Sequence, residues 1–160
     1  MEAPPPSAAP AASVGAASRV AVRLATPGDI PAIEAIDRAL GMASEKRPIV
    51  ERAITEGRVV VADDGGTVAG YVRWSWFWEK VPFSTLARIH PDYQHHGHGR
   101  ALYAAIEAHL RPRGHRFWLS STEEDNTRSR AFHAALGFRE IGALSELDQD
   151  VREVFLRKDL

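Results

Sequence analysis

The stretch Ile89-His90-Pro91-Asp92-Tyr93-Gln94-His95-His96-Gly97-His98-Gly99-Arg100-Ala101-Leu102 decides how the rest of the chain is read. A β-branched, apolar run breaks at Pro91 and restarts as a helix in which Leu102, Ala105, Ile106 and His109 recur at helical spacing on one face. Gly97 and Gly99 let the backbone turn tightly between the two. A loop thus feeds straight into a helix N-terminus, where the first N–H groups lack intrahelical acceptors and sit at the positive end of the dipole. Backbone donors in such a place can wrap the diphosphate of a nucleotide-like ligand. Arg100, and His98 when protonated, add positive charge.

Three ligand-binding patterns compete for this loop. A nucleotide-hydrolysing P-loop requires Lys-Ser/Thr after its last glycine, and Arg100-Ala101 stands there instead. A dinucleotide fold has the preceding strand, the following helix and, in Glu123, an acid about where one belongs on the ribose. Its third glycine is Leu102, however, and the motif lies in mid-chain. The third pattern is a resemblance: Gln94-His95-His96-Gly97-His98-Gly99 is similar to the acetyl-coenzyme A pyrophosphate loop of the GCN5-related N-acetyltransferase (GNAT) family, Gln/Arg-x-x-Gly-x-Gly/Ala. A glycine-containing strand-to-helix turn without a ligand is the bland alternative. Six residues alone do not decide.

Composition narrows the field. A chain of 160 residues with 44% hydrophobic content has room for one domain with a buried core. Its net charge of -1 gives no reason to expect nucleic acid as a partner. The absence of cysteine excludes a disulfide framework, a thiolate metal site and a catalytic cysteine. No run of about 18 apolar residues suggests a transmembrane helix, so no membrane is expected either. Met1 to Ser18 is Ala/Pro-rich, without periodicity and with almost no large apolar side chain, and is expected to be a disordered tail preceding one domain over residues 19–160. Glu2 and the prolines do not make a secretory signal, which leaves the cytoplasm as the expected location.

Taken in order, Val20, Val22 and Leu24 alternate as in a half-buried strand, and Thr26-Pro27-Gly28-Asp29 opens a helix running to about Leu40. Ile30, Ile33 and Ile36 form its apolar stripe, and a second helical segment covers about Pro48 to Glu56. Arg58 to Ala62 and Thr67 to Phe77 are strands joined by Asp63-Asp64-Gly65-Gly66, strong hairpin chemistry. Alternation puts Trp74 and Trp76 on one face and Phe77 on the other; these rings fit core packing, a homodimer surface or the wall of an acceptor pocket. Strands are also expected over Phe83 to Ile89, Arg116 to Ser120 and Val151 to Leu156. A helix runs from about Gly97 to Leu110, and another from the N-cap Asn126 to the stop at Gly137, with Phe132, Ala135 and Leu136 on one face.

The opening Val22-Arg23-Leu24-Ala25-Thr26-Pro27-Gly28-Asp29 also resembles the first strand and helix of the GNAT fold, and Asn126 to Phe138 resembles its asparagine-opened helix ending in Leu-Gly-Phe. Two anchors in the right order, flanked by the right strands, extend the resemblance over about Arg19 to Lys158. It implies an α/β (α+β) domain: a mixed, mostly antiparallel sheet of about six or seven strands, splayed at the middle strands, with about four flanking helices. The implied reaction is direct transfer of an acetyl group from acetyl-coenzyme A, as co-substrate, to an amine on a small molecule or peptide in a ternary complex. The implied coenzyme contacts are Ala87, Ile89, Gln94, His95, His96, Gly97, His98, Gly99, Arg100, Ala101, Asn126 and Phe132.

Catalytic residues are less sharply marked. The family often carries a proton-donating tyrosine seven positions after the asparagine, where this chain has His133, a residue whose ordinary pKa of about 6.5 also suits proton transfer. His133 as a plain packing residue is the alternative. For a general base the candidates are Glu79, just before the fourth strand, and Glu123 with Glu124 and Asp125 after the fifth; a water chain would also serve. A coenzyme-binding regulatory module lacking the catalytic acid and base is the competing function. A metal site at His95, His96 and His98 lacks an obvious fourth ligand, so no metal is expected.

Overall fold

The structure, a computed structural model, describes residues 20–147 and 150–160. The tail expected over residues 1–18 lies outside them. The chain begins with β1 (Val20–Leu24), a single 3₁₀ turn over Pro27–Asp29, then α1 (Ile30–Ala39) and α2 (Arg47–Thr55). Arg23 holds this corner by donating to both oxygens of Asp29 at 2.8 and 2.9 Å, while the Thr26 N–H donates to the same carboxylate at 2.7 Å. That arrangement lowers the pKa of Asp29 to about 2, the hydrogen bond from Arg23 outweighing the opposing cost of burial.

A hairpin follows, β2 (Val59–Asp64) and β3 (Thr67–Phe77), turning on Gly65 and Gly66, both at positive φ as a type I′ loop requires. Next come β4 (Val81–Ile89), α3 (His98–Leu110), β5 (Phe117–Glu123), α4 (Thr127–Ala135), β6 (Arg139–Leu144) and β7 (Glu153–Asp159). They form one seven-stranded sheet in the order β1-β2-β3-β4-β5-β7-β6. Among the described residues only β4 and β5 pair in parallel, over two rungs, Phe83↔Leu119 and Ser84↔Ser120. Beyond Ser84 and Ser120 both strands continue with no further rung between them. This is the expected splay of a GNAT-like fold.

Each sheet face has its own core. Ile30, Ile33 and Ile36 of α1 and Val50, Ala53 and Ile54 of α2 pack against Val59, Val61 and Tyr71. On the other face Leu102, Tyr103, Ile106 and Leu110 of α3, with Leu136 after α4, pack against Val60, Val72, Trp118 and Phe138. Two sequence-derived stripes shift slightly. Tyr103 and Leu110 are fully buried where Ala105 and His109 were expected, and His133 replaces Ala135 on the inner face of α4. Leu24, expected inward, is exposed at the end of an edge strand.

Trp74 and Trp76 do share a face, edge-on at 5.3 Å, with Phe77 opposite against Phe83 and Phe155. That face lies under the C-terminal end of α3. There the two tryptophans border a cavity of about 440 Å³ with Leu24, Arg58, His109 and Arg113. α3 has 13 residues, so this cavity lies about 20 Å along the helix from its N-terminal loop. In the β3–β4 ladder Trp74 stands opposite Ser84 and Trp76 opposite Pro82.

Candidate active site

The decisive loop is built as its glycines require. A 3₁₀ turn over Pro91–Tyr93 carries the chain off the end of β4, and Gly97 takes φ 88° immediately before α3. Among the described residues no side chain caps this helix. The first N–H of α3 to find an acceptor outside the helix is that of Ala101, bonded to Gly97 O at 3.0 Å. The N–H groups of the first turn are therefore left as donors, as an anion cradle needs. Gly99 is required for another reason: a Cβ there would stand 3.0 Å from the Phe132 ring, so its small size lets α3 and α4 approach at the loop.

The side chains of the loop divide into two groups. Gln94 is committed inside the protein, donating to Ile89 O at 3.1 Å and accepting from Arg128 at 2.6 Å. His98 turns inward, with only 2% of its surface exposed. Its Nδ1 lies 3.0 Å from Tyr93 O and its Nε2 3.0 Å from Asp64 Oδ2. Both ring nitrogens are engaged beneath the loop. The His98 ring thus supports the loop from below and does not reach out to a ligand with its nitrogens. His95, His96 and Arg100 remain at the surface. No group of three or more His, Asp or Glu among the described residues is gathered for a metal.

Asn126 caps α4, its Oδ1 accepting from Ser129 N–H at 3.0 Å. One turn of this helix presents Arg128 to the loop and Phe132 to Gly99. Ala87 and Ile89 lie on β4 beyond its last rung with β5, along the splay. Glu123 ends β5, on the other side of the same splay. Glu79 is not brought here: it forms the tip of the β3–β4 hairpin with Trp78, at φ 59° and 49°, at the end of β4 opposite the loop.

His133 is brought to the splay, but as a buried residue. It is 4% exposed, and Nδ1 donates to Ser129 O at 2.8 Å. Nε2 then carries the lone pair and accepts from Ser120 Oγ at 2.8 Å, with Tyr103 Oη at 3.2 Å. Tyr103 Oη lies 3.0 Å from Ser84 Oγ. Burial lowers the His133 pKa from its ordinary 6.5, only partly opposed by the Ser129 carbonyl. Sequence reasoning did not single out Ser84, Tyr103, Ser120 or Arg128. One signal was available: Trp118, Ser120 and Thr122 alternate, so a strand with a buried Trp carries hydroxyls on the same inward face.

A mixed sheet splayed between β4 and β5, with a bare helix N-terminus at the open end, is the arrangement on which the site is built. The chain belongs to the acetyltransferase (GNAT) family, whose model matches residues 30–138. No curated protein matches it closely. Solved structures agree on the fold. A GNAT-family acetyltransferase from Bacillus cereus superposes with a TM-score of 0.77 at 22% identity, over 88% of this chain and 96% of that one. The Salmonella typhimurium acetyltransferase yncA, solved with acetyl-CoA, gives 0.73 at 21% identity, over 89% and 95%. The ribosomal-protein-S18-alanine N-acetyltransferase of Escherichia coli gives 0.73 at 18%, over 88% and 93%. Among the described residues no helix is long and apolar enough to cross a membrane.

Proposed function

We propose that this protein transfers the acetyl group of acetyl-coenzyme A directly to an amine bound in the same complex. The observation that carries the reading is the uncapped N-terminus of α3, opened by Gly97 at positive φ beside a β4 edge left unpaired by β5. The acetyl-CoA held by the Salmonella neighbour supports the choice of co-substrate. The free N–H groups of the first turn, with Arg100 and Arg128, suit a diphosphate. The open edge of β4 from Leu86 to Ile89 offers backbone groups to an extended arm. The acetyl group supplies an electrophilic carbonyl, and the chain's part is to align it, accept a proton from the amine and return one to the departing sulfur. Glu123 is the carboxylate on the open side of the splay, and His133 is the titratable group at its vertex.

The competing reading, a coenzyme-binding regulatory module, keeps the loop and loses the chemistry. Two measurements separate them. Acetyl-coenzyme A at about 100 times its dissociation constant should stabilise the fold by about 2.7 kcal/mol, visible as a thermal shift. Thiol release should then depend on an added amine from a panel of small-molecule and peptide acceptors. Because the chain has no cysteine, a thiol reagent reads coenzyme A alone. Stabilisation without amine-dependent thiol release from any acceptor favours the regulatory module. Stabilisation by nicotinamide dinucleotides alone overturns both.

A further inference from the structure

Four polar side chains from four different elements meet at the vertex of the splay: Ser84 of β4, Tyr103 of α3, Ser120 of β5 and His133 of α4. They are 4, 1, 2 and 4% exposed. Aromatic rings enclose them: Phe132 lies 5.5 Å from Tyr103, Phe138 5.3 Å from His133, and Trp118 5.1 Å from Tyr103. Burying this many polar groups in an apolar core is costly unless they bond to one another, and an all-apolar junction would be cheaper. The location adds to the argument, because Ser84 and Ser120 are Cα partners in the last rung before the strands part.

The bonding pattern is directional. His133 cannot turn its ring to the splay, since Nδ1–H is tied to Ser129 O and Nε2 faces Ser120 and Tyr103. Ser120 Oγ bonds to His133 Nε2 and lies beside the Tyr103 hydroxyl, so it links the ring to the vertex. Tyr103 braces the arrangement from α3 by spanning Ser84 and His133.

We propose that Ser120 is the hydroxyl through which His133 serves the coenzyme sulfur, a two-residue relay in place of a single donor, with Tyr103 as a positioning residue. This rests on the acetyl-transfer reading above. As the amine nitrogen bonds to the acetyl carbon and the carbon–sulfur bond breaks, Ser120 Oγ–H gives its proton to the sulfur. Nε2–H of protonated His133 gives its proton to Ser120 Oγ, restoring the hydroxyl and leaving the ring neutral. The ring takes that proton from solvent before the step and ends neutral, as it began, while the acylated nitrogen sheds the matching proton. In the resting state the neutral ring accepts from Ser120, which holds the hydroxyl on the relay's axis.

The test reads the sulfur directly and needs no acceptor. Coenzyme A bound to the protein carries the only thiol in a cysteine-free complex, so its rate of alkylation by iodoacetamide against pH gives the thiol's midpoint. A hydrogen bond from Ser120 to the thiolate lowers that midpoint. Ser120→Ala should therefore raise it by about one pH unit, the size of one bond to a charged group. Ser120→Thr, which keeps the hydroxyl, should restore it. His133→Phe should raise it similarly, and the Ser120→Ala/His133→Phe double variant no further than either single, because the two act as a unit. Tyr103→Phe should give a smaller rise. An unchanged midpoint in Ser120→Ala, or shifts that add in the double variant, would overturn the relay. The thermal shift with coenzyme A is measured on every variant alongside. If the wild-type chain shows none, the acetyl-transfer reading falls and the relay with it.

Discussion

Gly70 offers a quantitative test of how β4 is held at the splay. It stands in β3 opposite Ile89, the last residue of β4 before the loop. A Cβ added at Gly70 would overlap Ile89 Cδ1 and lie 2.8 Å from the Arg88 carbonyl oxygen and 3.2 Å from Ile89 Cα. The Ile89 side chain can rotate away; the carbonyl cannot, because it belongs to the strand. Gly70→Ala therefore has to push the end of β4 outward, toward the edge on which the coenzyme arm would lie. Overpacking of this kind costs about 1–3 kcal/mol, against about 0.5–1 kcal/mol regained from the lost freedom of glycine in the unfolded chain. A net loss of about 1.5 kcal/mol lowers Tm by roughly 5 °C in a domain of this size. Gly142→Ala is the control: it lies in β6, at an ordinary φ, with no atom of the described residues within 4 Å of the added Cβ. It should be neutral or slightly stabilising. Differential scanning calorimetry of the pair, with and without acetyl-coenzyme A, checks both stability and the ligand-induced shift. If both variants melt together and bind equally well, close packing of Gly70 does not set the position of β4.

Gly97 tests the loop from the opposite direction, because at φ 88° its added Cβ would meet no atom within 4 Å and any cost is conformational alone. Gly97→Ala should destabilise by about 1–2 kcal/mol and weaken acetyl-coenzyme A by a comparable factor if the turn presents the α3 donors; calorimetric titration gives both numbers. The pH dependence of stability has a sign fixed by burial. His133 has a lowered pKa when folded, so its unfolded form binds a proton first. Stability is full above about pH 6.5 and falls as pH drops below it. His109, also lowered by burial and by Arg113 and His115, contributes with the same sign. His133→Phe should remove only its own part of that slope, measured by urea denaturation between pH 5 and 8. An unchanged slope would mean that the ring is not held neutral by its surroundings.

The elements that could be read from the chain are those in which local pattern and tertiary position agree. The Asp63-Asp64-Gly65-Gly66 turn, the break at Pro91 and the restart after Gly97 each carry a backbone requirement that few residues meet, and each is found where expected. β6 did not announce itself, because Arg139–Leu144 is the outermost strand. With Ile141 and Leu144 exposed and only Ala143 packed against the core, it has no inward face to produce alternation. The α3 stripe was misjudged by one position because Tyr103 reads as amphipathic. Its hydroxyl is buried only because Ser84, Ser120 and His133 arrive from distant segments to satisfy it. No local window contains that cluster. Its members are separated by 19, 30 and 13 positions, so spacing along the chain carries no trace of it. Glu79 illustrates the converse: its place just before the fourth strand was read correctly, but the hairpin puts it at the far end of that strand.

Two helices connect the ends of the site, and this is why its parts should respond together. α3 supplies the loop donors at its first turn and Tyr103 one turn later; α4 supplies Arg128 to the loop and, one turn later, His133 to the vertex. Between these two contacts the helices touch where the Phe132 ring fills the space left by Gly99. A rigid pair of helices in contact at that point cannot shift at the loop without moving at the vertex, because packed cores do not deform continuously. On the proposed reading, an anion bound at the first turn of α3 would bear on the alignment of Tyr103 and His133 with Ser120. Substitutions confined to the α3–α4 contact should alter the chemical step and coenzyme affinity together, while substitutions at Ser120 should alter the chemical step alone.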